Sequence, residues 1–205
     1  MTASTPLTAL ALTCTLTPSP AESSTQLMVD QVLAALNERG VTGPSVRLVD
    51  LDIRPGVDKD MGEGDEWPAV REQMLAADIL VVATPTWVGQ MSSVANRVLE
   101  RLDAELSEMD GEGRPLVFGK VALTTVVGNE DGAHKITADL FQGLGDAGFT
   151  VPAQGAVYWN GEAMTGTDFK DLDQTPEAVR STIATMTTNA VHLASLLRGS
   201  PYPPA

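Results

Sequence analysis

Short apolar runs, each separated from the next by a longer stretch of helical spacing, constrain this chain more than any other feature. The runs are Leu7 to Thr13, Val46 to Leu51, Ile79 to Thr84, Val121 to Val127 and Gly155 to Trp159. Strands rich in Val, Ile and Leu that do not alternate with polar residues need cover on both faces. That is the condition of a parallel sheet sandwiched between helices. The pattern therefore predicts an α/β fold with a doubly wound, five-stranded parallel sheet.

The intervening segments supply the cover. Ser24 to Arg39 places Met28, Val32 and Leu36 on one face and ends at Gly40, a favoured helix terminator. Gln90 to Ala104 repeats apolar side chains at Met91, Val94, Ala95, Val98 and Leu102, the spacing of a buried stripe. Val179, Ile183, Met186, Ala190, Leu193 and Leu197 form a third stripe, which begins after Thr175 and Pro176. It reads as a helix laid on the sheet, being short for a coiled coil and interrupted by Ala190. Arg54 to Pro68 and Asp103 to Pro115 have loop composition. One domain is expected, with its core over residues 7–197 and a frayed tail over 199–205.

Size and charge narrow the function. A chain of 205 residues and 21.6 kDa buries about 70% of its surface on folding, enough for a core without staples. The lone Cys14 cannot form an internal disulfide, which suits a reducing cytoplasmic setting. Thirteen basic against twenty-seven acidic residues give a net charge of −14, which disfavours nucleic acid and anionic membranes as partners. The apolar Leu7 to Leu12 has no cationic flank, since the first basic residue is Arg39, so it reads as a strand and not a signal peptide. No apolar run approaches the roughly 20 residues of a membrane span. Cys14, His134 and His192 lack metal-ligand spacing, so no metal is expected.

Ligands of open α/β sheets sit beyond the carboxyl ends of the strands, where strand order reverses. After the first strand come Thr15, Thr17, Ser19, Ser23, Ser24 and Thr25, leading into a helix. Hydroxyls at a helix N-terminus can hold a phosphate without a cation, and equally they can form an ordinary Ser/Thr-rich turn with an N-cap. After the third strand the chain reads Pro85-Thr86-Trp87-Val88-Gly89-Gln90-Met91, where Trp87 offers a stacking face and Gly89 a close backbone approach. After the fourth comes Val127-Gly128-Asn129-Glu130-Asp131-Gly132. No Walker loop occurs. The literal Gly143-x-Gly145-x-x-Gly148 follows a helix and precedes a strand, the reverse of a dinucleotide site, and reads as a helix end.

These three loops together resemble those of the flavodoxin-like NAD(P)H-dependent FMN reductases and quinone reductases, over roughly Leu7 to Asn160. The resemblance implies a flavodoxin-like sheet of order 2-1-3-4-5 and bound FMN, with NADPH or NADH as co-substrate. It implies phosphate contacts from Thr15, Thr17, Ser23, Ser24 and Thr25. Pro85, Thr86, Trp87, Val88, Gly89 and Gln90 would edge the isoalloxazine, and Thr125, Val127 and Gly128 would hold its other side. Tyr158 and Trp159 read either as a stacking wall or as core aromatics. His134 and His192 read as solvated or structural.

The flavin would carry the chemistry, taking a hydride from the nicotinamide and passing it to a quinone-like small acceptor, so no catalytic side chain is expected. A homodimer or homotetramer is a further implication. Two rivals share the fold: a flavodoxin-type FMN electron carrier, and a flavin-free scaffold whose phosphate loop is blocked by Pro18 and Pro20.

Overall fold

The strands do not alternate because each face of the sheet has its own core. Leu10, Leu12, Leu80, Val82, Ala122 and Val126 pack on one side. Ala9, Ala11, Ile79, Val81, Ala83, Leu123 and Val157 pack on the other. A computed structural model describes residues 5–163 and 165–204. The parallel strands are β1 (Ala9–Thr13), β2 (Ser45–Arg47), β3 (Ile79–Trp87), β5 (Val121–Gly128) and β6 (Ala156–Asn160), in the order β2-β1-β3-β5-β6. A short sixth strand, β4 (Gln90–Met91), pairs antiparallel with β3. The five-stranded, flavodoxin-like expectation is thus met in its parallel strands and corrected by one hairpin strand.

Helices α1 (Ser24–Asn37) and α5 (Glu177–Gly199) cover one face through Met28, Val32, Leu36, Ile183, Met186 and Ala190. The other face takes α2 (Trp67–Ala76), α3 (Ser93–Leu102) and α4 (Ala133–Ala147), which bury Trp67, Val98, Ile136 and Leu140. At about 25 cal/mol per Å² of apolar surface, these two layers of aliphatic contact are the main stabilising term.

Local chemistry moves several boundaries. The strand expected over Val46 to Leu51 stops at Arg47, and Leu48–Asp50 forms a 3₁₀ turn that buries Leu48. The helix expected from Gln90 begins at Ser93. Val88 and Gly89 both have positive φ, +53° and +68°, the two-residue turn that folds Gln90 back against Trp87. Ser92 then accepts from the Ala95 amide as N-cap. Helix α2 is absent from the sequence reading because only Trp67, Val70 and Met74 are buried along it, next to an acidic loop. Gly143 and Gly145 lie in the last turns of α4, and Gly148 caps it at φ +109°, as the motif's context implied.

The tail departs from a frayed segment. Gly199 still belongs to α5, and Tyr202 packs edge-on against Phe118 at 5.5 Å with its hydroxyl 3.0 Å from Thr150 Oγ1. Ala205 lies outside the described residues.

Candidate active site

The carboxyl ends of β1, β3, β5 and β6 surround one cleft beside the point where the chain reverses direction across the sheet. It holds a cavity of about 210 Å³ that opens to solvent. Thr15, Thr17, Ser23, Ser24, Thr25, Pro85, Thr86, Trp87, Val127 and Gly128 line it. Val88, Gly89 and Gln90 form the hairpin tip outside that lining, and Thr125 is fully buried within β5 and does not reach it.

The first crossover is built around α1. Ser23 is its N-cap and accepts from the Gln26 amide at 3.4 Å, while its own hydroxyl donates to Thr15 Oγ1 at 3.0 Å. Thr15 Oγ1 also accepts from the Thr17 amide. The first-turn amides of Ser24 and Thr25 have no intrahelical acceptor and stand at the positive end of the helix dipole. Pro18 and Pro20 are exposed and are not among the lining residues, so neither blocks the cleft. Cys14, under this loop, is wholly buried, and desolvation pushes its thiol far above the ordinary range.

The β3–β4 hairpin and the loop after β5 form the opposite wall. Glu130 accepts from the Val88 amide at 2.7 Å, and Lys135 donates to Gln90 Oε1 at 2.7 Å. A Cβ on Gly132 would come within 2.8 Å of Gly89 Cα, and one on Gly128 within 2.6 Å of Thr86 Cβ. Both glycines therefore permit contacts that any side chain would prevent. Thr86, whose residue lines the cleft, has its Oγ1 buried without a protein partner. Beneath, Ser92 Oγ donates to the Cys14 carbonyl at 2.6 Å, tying the hairpin to the end of β1.

The segment after β6 closes the third side, which the sequence reading missed. Asp168, Phe169 and Lys170 line the cleft, as do Glu22 and Asn129. Phe169 is buried and tilts against Trp159 with centroids 5.5 Å apart. Asn129 Nδ2 donates to Asp168 Oδ1 at 3.3 Å. The one local signal was the capping box of Asp168 and Asp171, which fixes a single 3₁₀ turn. Of the two aromatics left open, Trp159 joins the cleft. Tyr158 does not, and meets His134 edge-on, with its hydroxyl 3.0 Å from Nε2. His192 is exposed on α5.

Among the described residues no group of three or more His, Cys, Asp and Glu could hold a metal ion, and no described helix is long and apolar enough to cross a membrane.

A family model described as NADPH-dependent FMN reductase matches residues 10–163. The 8-demethyl-8-aminoriboflavin-5'-phosphate synthase of Streptomyces davaonensis is 35% identical over 207 residues, covering 96% of this chain and 80% of that protein. A crystal structure of RosB with bound 8-demethyl-8-formylriboflavin-5'-phosphate is 34% identical with a TM-score of 0.85, covering 96% of this chain and 82% of that one. A Mycobacterium bovis protein named divalent metal cation transporter MntH is 36% identical over 199 residues, which are 94% of this chain and 29% of that protein.

Proposed function

The chain belongs to the NADPH-dependent FMN reductase family, and from that premise we propose that it is an FMN-dependent oxidoreductase moving a hydride from NADH or NADPH to a quinone or another small acceptor. The observation that carries this reading is one cleft joining free helix-start amides to a groove with a buried, unpartnered hydroxyl. Amides at a helix start suit a phosphomonoester, and Thr86 Oγ1 suits the polar edge of a planar ring. When bound, FMN supplies a ring that accepts a hydride and gives it up again.

The chain's own residues then bind and orient. The amides of Ser24 and Thr25 would hold the phosphate, with Thr15, Thr17 and Ser23 around it. Pro85, Thr86 and Trp87 would edge the ring, and Val127 and Gly128 would face it from β5. Val88, Gly89 and Gln90 act from the rim, as the turn that sets Trp87. The described lining residues would bind and orient the reactants, and the charged groups among them are Glu22, Asp168 and Lys170. The exposed Trp87 and Val88 leave an open side for nicotinamide and acceptor in turn, and for a neighbouring subunit in a homodimer or homotetramer. A reducing, cytoplasmic setting accords with the solitary Cys14.

A second reading is favoured by the relative whose name makes a modified riboflavin phosphate the product: flavin itself would be the reactant here. Anaerobic addition of NADH or NADPH to the FMN-loaded protein, followed by chromatography of the released flavin, separates the two. The reductase bleaches on reduction, recovers with a quinone and releases unaltered FMN. Altered flavin, or no bleaching with either nucleotide, would sink the reductase reading.

A further inference from the structure

The cleft wall contributed after β6 carries a cation exactly one residue beyond its buried anchor, Phe169. Lys170 is pinned to the opening of α1, because its amide donates to Ser24 Oγ at 3.2 Å. Among the described residues lining the cleft, the other charged groups are Glu22 and Asp168, both carboxylates, and Lys170 is the sole cation. Two carboxylates repel a phosphate dianion and oppose the attraction of the α1 amides. A cation at the cleft would offset that repulsion and strengthen the hold of the amides. The Lys170 ammonium lies 2.7 Å from Asp171 Oδ1, in a pair whose side chains are 30% and 46% exposed. So exposed a pair contributes little, and the flexible stem of lysine can turn to a better anion.

Resting on the FMN reading above, we propose that Lys170 is the residue that selects the 5'-phosphate, leaving Asp171 to pair with it, so that the cleft takes FMN in preference to riboflavin. This adds a charge to a subsite whose sequence pattern suggests uncharged donors alone.

Equilibrium titration of flavin fluorescence with FMN and with riboflavin, on the wild type, Lys170→Met and Lys170→Arg, tests it. Loss of one charge-assisted hydrogen bond predicts FMN affinity about 10- to 100-fold weaker in Lys170→Met, with riboflavin unchanged within about twofold. Lys170→Arg should restore most of the FMN affinity. Because the anchoring amide survives every substitution, folding should be intact. The wild type provides a second measurement, since its FMN affinity should fall with added salt more steeply than its riboflavin affinity. Equal weakening of both ligands, or unchanged FMN affinity in Lys170→Met, overturns the role of Lys170 and leaves the FMN reading standing. A wild type that binds no FMN overturns both.

Discussion

Val88 combines two properties that seldom coincide. It is β-branched with φ +53°, and its side chain is almost fully exposed. The left-handed region costs such a residue about 1–2 kcal/mol, and no packing offsets that cost. The two-residue turn prefers Asn-Gly, and Gly89 already occupies the second place. Val88→Asn should therefore raise stability by about 1 kcal/mol, seen as a Tm higher by about 2–4 °C. A lower Tm would show that the Val88 side chain has a contact of its own. Cys14 makes a second residue-scale case: buried and with its thiol pushed up, it should react with a disulfide reagent at the rate of unfolding and not faster. Residue type was legible where local chemistry decides position, as in the run of hydroxyls that opens α1. Lys170 and Asp168 were illegible because they reach the cleft by a turn whose place depends on Phe169 meeting Trp159, a tertiary contact without sequence periodicity.

The acidic segment between β2 and α2 has the composition of a loop, yet it is held by a buried centre. Asp65 and Arg101 form an ion pair at 2.8 Å with both side chains inaccessible. The amides of Arg54, Met61 and Trp67 also donate to the Asp65 carboxylate. Burial would raise the pKa of this carboxyl, but the Arg101 guanidinium and the three amides outweigh it and hold it well below the usual carboxylate range. Its contribution is therefore complete above the unfolded value of about 3.9 and is lost as the pH falls towards the folded one. Asp65→Asn should cost about 3–5 kcal/mol at pH 7 by stranding Arg101. It should also flatten the loss of stability between neutral and acidic pH, measured by urea unfolding. An unchanged acid profile would remove Asp65 from the account. At the same scale, Gly132→Ala must push the hairpin from the loop after β5. A shift of that kind predicts FMN binding weaker by about tenfold, read by fluorescence titration.

Two cores on one sheet explain why the architecture was the most legible level. Apolar runs without alternation admit few alternatives to a doubly wound sheet, and the cleft lies beyond the strand ends as that topology requires. Boundaries were less legible because turns set them: positive φ at Val88 and Gly89 turned the expected first helical turn into β4. Helix α2 lay hidden because its cover is sparse, and Tyr202 docks a tail whose three prolines suggested fraying.

At this scale the central claim is that FMN occupies the cleft with its phosphate at the start of α1. A crystal structure of the protein grown with FMN tests it most directly. Phosphate oxygens should lie within hydrogen-bond distance of the Ser24 and Thr25 amides, with the ring edge against Thr86 and Gly128. Flavin bound elsewhere, or a cleft closed over its own side chains at saturating FMN, would contradict it.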